Sequence, residues 1–311
     1  MEREMIRILA FMAALLVAQT AFADQVRFGS TKSSANFQTA ASFAKFVTNK
    51  SDLQASPAPH QSQLETVVKT AKGDLEFAVS NIAEVTWSYF GQNAHKVAQK
   101  DLRLVANLNM FRTGLLVPDD GTVKNVSDLK QHPVSGVFKP APQLRMLMDT
   151  MLKHGGLEQA DVISIPVTGI GDGLKKYASG QHDAAIAAIG AASSIKASNT
   201  RSARWANFDK EVFEDSNYPG YEMVVLDPQP GYPLIKERTR VIQFPYVLAA
   251  STNVSDETVY KVVKAIWNSA SEIEQDSFLN TFKKENMNRI SNGVPWHAGA
   301  VKFYKEVGLI K

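Results

Sequence analysis

Short apolar segments alternate with polar loops and amphipathic stretches along most of the chain. Four segments in the first third have the length and apolar character of strands: 26–29, 53–56, 76–80 and 102–107. The stretches that separate the first three carry apolar residues at helical spacing, for example Phe37, Ala40 and Ala44. Three strand–loop–helix units in succession predict a parallel sheet with helices on both faces.

The same alternation returns further along the chain. It predicts strands at 134–138, 162–167, 184–188 and 241–250. It predicts helices at 144–152, 171–178 and from Ser255, a residue that favours helix starts. Residues 199–240 are rich in Asn, Pro, Asp, Gly and Tyr, and we predict irregular excursions on the second lobe there.

A short internal echo favours two equivalent lobes. Gly73-Asp-Leu-Glu76 and Gly180-Gln-His-Asp183 each follow a predicted helix and precede an apolar strand, and we expect the acid to close the turn in both. We therefore predict an α/β fold of two lobes, 24–110 with 245–311 and 111–244. Each lobe is a mostly parallel sheet flanked by helices, and two segments cross between them near residues 110 and 242. A small ligand would lie in the cleft between the lobes.

The N-terminus predicts export. Residues 8–18 form an apolar run that is too short to span a bilayer, and Ala21-Phe22-Ala23 matches a cleavage site, so residues 1–23 are a predicted signal peptide. Glu2 and Glu4 interrupt the usual positive start, and initiation at Met5 is an alternative. The mature chain, from Asp24 onward, is expected in the periplasm.

Composition and motifs argue against several functions. The net charge is only +3 and no basic run contains interleaved aromatic residues, so nucleic acid is not an expected partner. With 0 cysteines, there is no thiol nucleophile, disulfide or lipid-attachment site. The six histidines lack metal-ligand spacing, Gly169-Ile-Gly171-Asp-Gly173 lacks the last step of a dinucleotide fingerprint, and no Gly-x-Ser-x-Gly elbow occurs. We therefore expect a protein that is not an enzyme and has no cofactor or metal.

Polar residues at the predicted strand ends are the candidate ligand contacts. Because such ends face a crevice at one sheet edge, they often bind small anions. The candidates are Ser33, Ser34, Asn36, Phe37, Gln61, Ser62, Ser80, Asn81, Arg112, Lys139, Gln143 and Gly190. Arg112 and Lys139 would pair with a carboxylate. Each has a structural alternative, since Ser and Asn also cap helices, charges are commonly solvated, and Gly190 could simply end a strand.

The C-terminal segment carries a resemblance to a known family. Pro295-Trp-His297-Ala-Gly299-Ala300-Val-Lys-Phe-Tyr304-Lys-Glu306-Val-Gly308 resembles the tail pattern of TAXI-type solute receptors of tripartite ATP-independent periplasmic (TRAP) transporters. Gly29-Ser30-Thr31 and Tyr232-Pro233 are also similar. The resemblance implies a type II-like periplasmic binding protein that captures a small organic or amino acid and delivers it to TRAP permease subunits in the membrane.

The loops around the expected cleft depart from that family. Its first loop usually has Gly-Gly followed by two tyrosines, where this chain has Ser33-Ser34-Ala35-Asn36-Phe37, and its second-loop Gly-Gly-Ser is replaced by His60-Gln61-Ser62. The resemblance implies a small solute that bears a carboxylate, and the altered loops leave its identity open. Two alternatives stay open, a periplasmic sensor of the same fold that signals to a membrane histidine kinase, and an exported enzyme on the same scaffold.

Overall fold

The fold was analysed in a computed structural model that describes residues 24–32, 35–138 and 141–311. The first part of the chain alternates strands and helices as the pattern predicts. Its elements are β1 (Gln25–Thr31), α1 (Ala35–Lys50), β2 (Gln54–His60), α2 (Gln63–Lys72), β3 (Phe77–Asn81), α3 (Ile82–Phe90) and β4 (Leu102–Pro118).

The rest of the chain continues the alternation. Its elements are β5 (Pro133–Phe138), α4 (Pro142–Lys153), β6 (Ile163–Val167), α5 (Ile170–Ala178), β7 (Ala185–Ala188), α6 (Ala192–Thr200), β8 (Ala203–Trp205), β9 (Glu222–Leu226), β10 (Thr239–Ser251), α7 (Asp256–Asn268), α8 (Ala270–Gln275) and α9 (Ala298–Glu306). Single 3₁₀ turns lie at Val126–Leu129, Gln159–Asp161 and Lys284–Asn286.

Two long strands join the two ends of the main sheet. The sheet has eight strands in the order β2-β1-β3-β10-β4-β7, with β8 beside β4 and β9 beside β10. β1 pairs in parallel with β2 and β3, whereas β10 runs antiparallel to both β3 and β4. β4 and β10 pair from Leu102↔Ser251 to Thr113↔Ile242, with a register shift next to Pro245. Both predicted crossings therefore lie inside paired strands.

β2 is longer than the sequence predicts. We expected the strand to end at Ser56 because Pro57 and Pro59 follow it, but β2 continues to His60, and Pro57 pairs with Phe28 in register. β2 is the edge strand of the sheet. An edge strand tolerates proline because one side of its backbone needs no donors. The polar loop therefore starts only at Gln61.

The stretch 199–240 is more regular than predicted. α6 reaches Thr200, β8 pairs with β4, and β9 pairs with β10 over Thr239↔Leu226 to Gln243↔Glu222. β8 has only three residues, β9 lies in a stretch rich in turn-forming residues, and the partners of both strands lie far away in sequence. The prediction of irregular structure was wrong for these segments.

The acids of the two echoed turns bind partners outside the turns. Gly73 and Gly180 both have positive φ, 83° and 75°. However, Glu76 accepts hydrogen bonds from the backbone and guanidinium of Arg27, and Asp183 accepts them from Arg201 and His132. The expectation that each acid closes its own turn was wrong, because a cationic neighbour on another element offers each carboxylate a stronger bond.

One large apolar core runs through the junction of the long strands. It contains Phe28 and Phe43 from the β1–β3 end and Met148 and Leu152 from α4, and it is continuous through Phe111 of β4. The described residues contain no helix that is long and apolar enough to cross a membrane.

Candidate functional site

One large cavity adjoins both ends of the main sheet. Its volume is about 950 Å³, which is in the range of small-molecule sites. On one side lies a group of residues from the ends of β1, β2 and β3 and the helices that follow them, which we call the polar wall: Asn36, Gln61, Ser62, Gln63 and Asn81. Opposite them lie β7 and parts of α4, α5 and α6.

The polar wall lies at one edge of the sheet because β1, β2 and β3 are parallel. Their carboxyl ends therefore meet at the same edge, as the sequence predicts. Asn36 is buried there, with its amide engaged at both ends. Its Oδ1 accepts from Thr31 N at 2.6 Å and its Nδ2 donates to Val79 O at 2.8 Å, so it ties the ends of β1 and β3 together.

Ser62 and Asn81 cap helices as well as lining the cavity. Ser62 Oγ accepts from Glu65 N at 3.1 Å at the start of α2, and Asn81 Oδ1 accepts from Glu84 N at 2.7 Å at the start of α3. Gln61 is exposed and its backbone N–H donates to the Glu65 carboxylate. The capping alternative thus holds for two of the candidates, and both also face the cavity.

Gln63 is a residue of the polar wall that the sequence analysis missed. Its Oε1 accepts three hydrogen bonds, from Ser80 Oγ at 2.7 Å, Asn81 N at 3.0 Å and Asn81 Nδ2 at 2.9 Å. Burial raises the pKa of neighbouring Tyr246, while hydrogen bonding to Asn36 and Gln63 acts in the opposite direction. Only the position of Gln63, directly after a capping serine at a strand end, could have indicated it.

Six aromatic side chains of the described lining form a second surface of the cavity, the aromatic wall: Trp87, Phe111, Tyr218, Tyr221, Phe244 and Tyr246. Phe111 stacks on Tyr246 with ring centres 4.2 Å apart, and Tyr221 stacks on Phe244 at 4.1 Å. Phe111 and Phe244 come from the paired long strands β4 and β10. No local sequence pattern predicts this wall, because its residues are distant in sequence and come together only in the folded chain.

The segment 213–221 carries two of these rings and contacts both sides of the cavity. On one side, Asp215 accepts from Thr150 Oγ1 of α4 at 2.6 Å, and Phe213 stacks on His154 at 4.9 Å. On the other, Asn217 O accepts from Trp87 Nε1 of α3 at 2.8 Å. This stretch, predicted as an excursion on the second lobe, therefore contacts α3 as well as α4.

Lysines exceed acids along the cavity. Its described lining includes Lys32, Lys175 of α5 and Lys196 of α6, and a single carboxylate, Asp172. Each of the three lysines is exposed, and none has an acidic partner within 4.0 Å in the described ranges. Asp172 is already engaged, because it accepts from Thr168 N at 2.9 Å and Lys176 lies 3.5 Å away. That backbone hydrogen bond and the lysine lower the pKa of Asp172.

Gln143 lines the cavity at the start of α4, as predicted. Its side chain is only 9% exposed, and its Oε1 accepts no hydrogen bond from residues 24–32, 35–138 or 141–311. Its backbone carbonyl accepts from Tyr218 OH at 3.3 Å. A buried acceptor without a donor is costly, so this amide is suited to a donor from a ligand.

Four candidates lie apart from the cavity lining. Ser80 is fully buried and bonds to Gln63, and Phe37 is half-buried on α1. Arg112 points to Gln243 and Tyr232 and borders a separate cavity of about 10 Å³. Gly190 has φ 79° and packs against Tyr232. Ser33, Ser34, Lys139 and the predicted signal peptide lie outside the described residues, so those predictions stand as they were.

Within the described part of the chain, no group of three or more His, Cys, Asp or Glu side chains is arranged to hold a metal ion. The cavity therefore offers amides, hydroxyls, aromatic faces and ammonium groups as its recognition chemistry.

The sequence model of the NMT1-like family matches residues 29–308. The chain belongs to the NMT1-like family. The match includes every strand that borders the cavity, apart from the first residues of β1.

Solved structures share the fold of this NMT1-like protein. PhnD1 from Prochlorococcus marinus, in complex with methylphosphonate, is 11% identical over 92% of this chain and 99% of its own, with a TM-score of 0.52. The alkanesulfonate-binding protein SsuA from Xanthomonas axonopodis pv. citri, bound to MOPS, is 14% identical over 92% and 80%, with a TM-score of 0.52.

AbpA, an amino acid ABC transporter substrate-binding protein from Streptococcus pneumoniae bound to L-arginine, is 14% identical over 82% of this chain and 93% of its own, with a TM-score of 0.50. At these identities the likeness concerns the fold. The predicted two-lobed α/β fold of a periplasmic binding protein is confirmed.

Proposed function

We propose that this NMT1-like protein is a periplasmic solute-binding protein that captures a small carboxylate-bearing solute and delivers it to a TRAP permease. The observation that carries the proposal is the cavity, about 950 Å³ in volume. Its described lining has three lysines without acidic partners in the described ranges and only one carboxylate, which is already engaged by Lys176. Its fold relatives PhnD1, SsuA and AbpA were each solved with a small bound molecule.

The charge balance supports an anionic solute. Lys175 and Lys196 lie on neighbouring helices along the cavity, and Lys32 lies next to the polar wall. A cleft lined by one sign of charge attracts ligands of the opposite sign, and its walls of low dielectric strengthen the attraction. The predicted pairing of Lys139 with a carboxylate concerns a residue outside the described ranges and stands as a prediction.

The proposed division into lobes supports a clamp. Lobe I (24–110 with 245–311) would supply the polar wall, and lobe II (111–244) would supply Lys175, Lys196 and Gln143. A ligand that contacts both sides favours whichever arrangement brings them together, so binding would close the clamp by shifting populations.

The C-terminal tail, through its resemblance to the TAXI-type pattern, is the ground for proposing a TRAP partner. Its residues hold α9 against the rest of the fold, since Tyr304 OH donates to Val105 O at 2.7 Å and His297 caps α9 through Gly299 N at 3.2 Å. His297 is thereby placed in a structural role away from the cavity. Delivery to a TRAP permease predicts uptake that continues without ATP hydrolysis, whereas an ABC partner would require it.

A thermal-shift screen of residues 24–311 tests the proposal. The panel contains amino acids, dicarboxylates, oxoacids and aromatic acids together with uncharged amides of the same acids. We expect at least one acid to raise the unfolding midpoint and its amide to do so less, because binding to the folded state stabilises it by about 2.7 kcal/mol at a hundredfold excess over Kd.

Lysine variants locate the charge. Lys175→Gln and Lys196→Gln should weaken binding of the best acid, while Lys176→Gln is the matched control. Lys176 lies on the same helix as Lys175 but binds Pro166 O and Asp172 instead of the cavity. If no acid binds, or if the three variants bind alike, the proposed charge recognition is wrong.

A further inference from the structure

We infer that the solute carries an aromatic ring beside its carboxylate, and that the aromatic wall is the surface that recognises the ring. This inference rests on the proposed function, because it assigns the chemistry of a solute in the same cavity. It favours aryl carboxylates over short aliphatic dicarboxylates.

The six rings of the aromatic wall converge on one cavity. The six rings come from α3, β4, β10 and the segment 213–221, which are far apart in the sequence. All of them border one cavity, and they contact one another. Besides the two stacked pairs, Phe111 and Phe244 are 5.2 Å apart, Tyr218 and Tyr221 4.9 Å, and Trp87 and Tyr218 5.2 Å.

The rings of the aromatic wall are arranged in stacked pairs. Tyr221 and Phe244 are inclined by 9° and Phe111 and Tyr246 by 16°, so each pair is stacked. Tyr221 is partly exposed, and the other five rings are buried and border the cavity with a small part of their surface. Aromatic rings prefer offset stacks and edge-to-face contacts with centres roughly 4.5–7 Å apart. A planar ring can join such a cluster in a favoured orientation, whereas a flexible aliphatic chain would lose rotamer freedom without gaining these contacts.

A second carboxylate on the solute would be unfavourable beside the aromatic wall. The rest of the described lining mixes aliphatic side chains, among them Leu144, Leu147 and Ile186, with hydroxyls such as those of Thr113 and Ser193. Among the described lining residues the cations are the three lysines, all of them exposed. The aromatic wall offers no cation among its six residues, so a second carboxylate placed against it would be buried unpaired, which is strongly unfavourable. A solute with one carboxylate at the lysines and an apolar ring deeper inside avoids this cost.

The test compares pairs of acids that differ only in aromaticity. Titration calorimetry on residues 24–311 would use phenylacetate against cyclohexylacetate and benzoate against cyclohexanecarboxylate, with glutarate and 2-oxoglutarate as diacids. We expect the aryl acid of each pair to bind at least about threefold tighter, although the cyclohexyl ring is more apolar. We also expect the diacids to bind more weakly than the aryl acids.

Substitutions identify the surface. Phe244→Leu and Tyr221→Leu remove a ring but keep apolar volume, so they should bring the ratio between the aryl and cyclohexyl acids close to one. Phe282→Leu is the control, because Phe282 is also buried and packs against Phe43 away from the cavity. Tyr221 is partly exposed, so its variant and the wild-type series decide the matter if Phe244→Leu does not fold.

Two results would overturn the inference alone. One is equal affinity for the aryl and the cyclohexyl acid of each pair, together with Phe244→Leu and Tyr221→Leu variants that bind the acids as Phe282→Leu does. The other is tighter binding of the diacids than of the aryl acids. In either case the protein still binds an acid and the proposed function stands. If none of these acids and none of the broader panel binds, the proposed function itself fails and the inference fails with it.

Discussion

Trp87 donates its indole N–H to the backbone carbonyl of Asn217 over 2.8 Å, and its ring lies 5.2 Å from that of Tyr218. These two contacts hold the segment 213–221 on α3, while Asp215 and Phe213 hold it on α4. The segment thus fixes two rings of the aromatic wall by contacts made on both sides of the cavity.

Replacing Trp87 by Phe should loosen that segment. The substitution keeps an aromatic ring but leaves Asn217 O without its donor, so we expect the free energy of unfolding to fall by about 1–3 kcal/mol. Urea denaturation measures the loss, and limited proteolysis should show faster cleavage within 213–221. Trp267→Phe is the control, because the Trp267 indole N–H donates no hydrogen bond to the described residues and its ring packs against Phe303. Equal losses in both variants would contradict the role given to this bond.

Gln63→Glu separates stability from binding. A glutamate at this position still offers an oxygen to Ser80 and Asn81, so the free energy of unfolding should change by no more than about 1 kcal/mol. The new negative charge on the polar wall should weaken an anionic solute by about tenfold. Calorimetry with the best acid of the panel measures this effect. Gln92→Glu is the control, because it adds the same charge at an exposed site outside the cavity. If Gln92→Glu weakens binding of the acid as much as Gln63→Glu does, the effect does not come from the charge on the polar wall.

His182 predicts a loss of stability on mild acidification. Burial lowers the pKa of His182 to about 4, with smaller contributions from Lys176 and Arg201. Below the unfolded value of 6.5 the unfolded chain binds a proton that the folded chain does not. Stability is therefore fully present above that value and falls as the pH drops toward 4.

His182→Gln keeps a partner for Ser135 Oγ and removes the titration. Between pH 7 and pH 5 the wild type should lose about 2 kcal/mol more than the variant. Urea denaturation at the two pH values measures the difference. Part of the slope will remain in the variant, since burial also lowers the pKa of His60 and of His297. Parallel pH profiles for the two proteins would rule out His182 as the source.

Gly299→Ala should be strongly destabilising. A Cβ at Gly299 would overlap the carbonyl oxygen of Asp256 at the start of α7, and two backbones cannot separate cheaply. We expect a loss of about 1–3 kcal/mol, the range of overpacking in a well-packed core. Thermal denaturation measures it. Gly231→Ala is the control, since a Cβ at Gly231 would meet no described atom within 4 Å. A midpoint unchanged in Gly299→Ala would mean that α9 shifts easily.

Local signals predicted the helices and the polar wall well. Ser62 and Gly73 bracket α2, and Asn81 marks the start of α3, because capping depends on residues adjacent in sequence. The residues at the carboxyl ends of β1, β2 and β3 could be predicted to meet, since parallel strands place those ends together. Asn36, Ser62 and Asn81 do line one cavity.

The features of the cavity that the sequence did not predict depend on contacts between elements far apart in the chain. Phe111 and Phe244 are partners across β4 and β10, and no local pattern indicates that register. Lys175 and Lys196 belong to ordinary surface helices, and only the position of those helices beside β7 turns them toward the cavity. Tyr232 and Gln243 bind the guanidinium of Arg112 apart from the cavity lining, and its role at a ligand stays a prediction.

The pairing of β4 with β10 also has a mechanical consequence. Because these strands share hydrogen bonds from Leu102↔Ser251 to Thr113↔Ile242, a rotation of one end of the sheet against the other must twist the paired strands themselves. The register is interrupted twice, between Pro245 and Val247 and between Leu248 and Ala249, and Phe111, Phe244 and Tyr246 lie beside the first interruption. Rings that line the cavity therefore lie at an interruption of the strand pairing that links the two ends of the sheet.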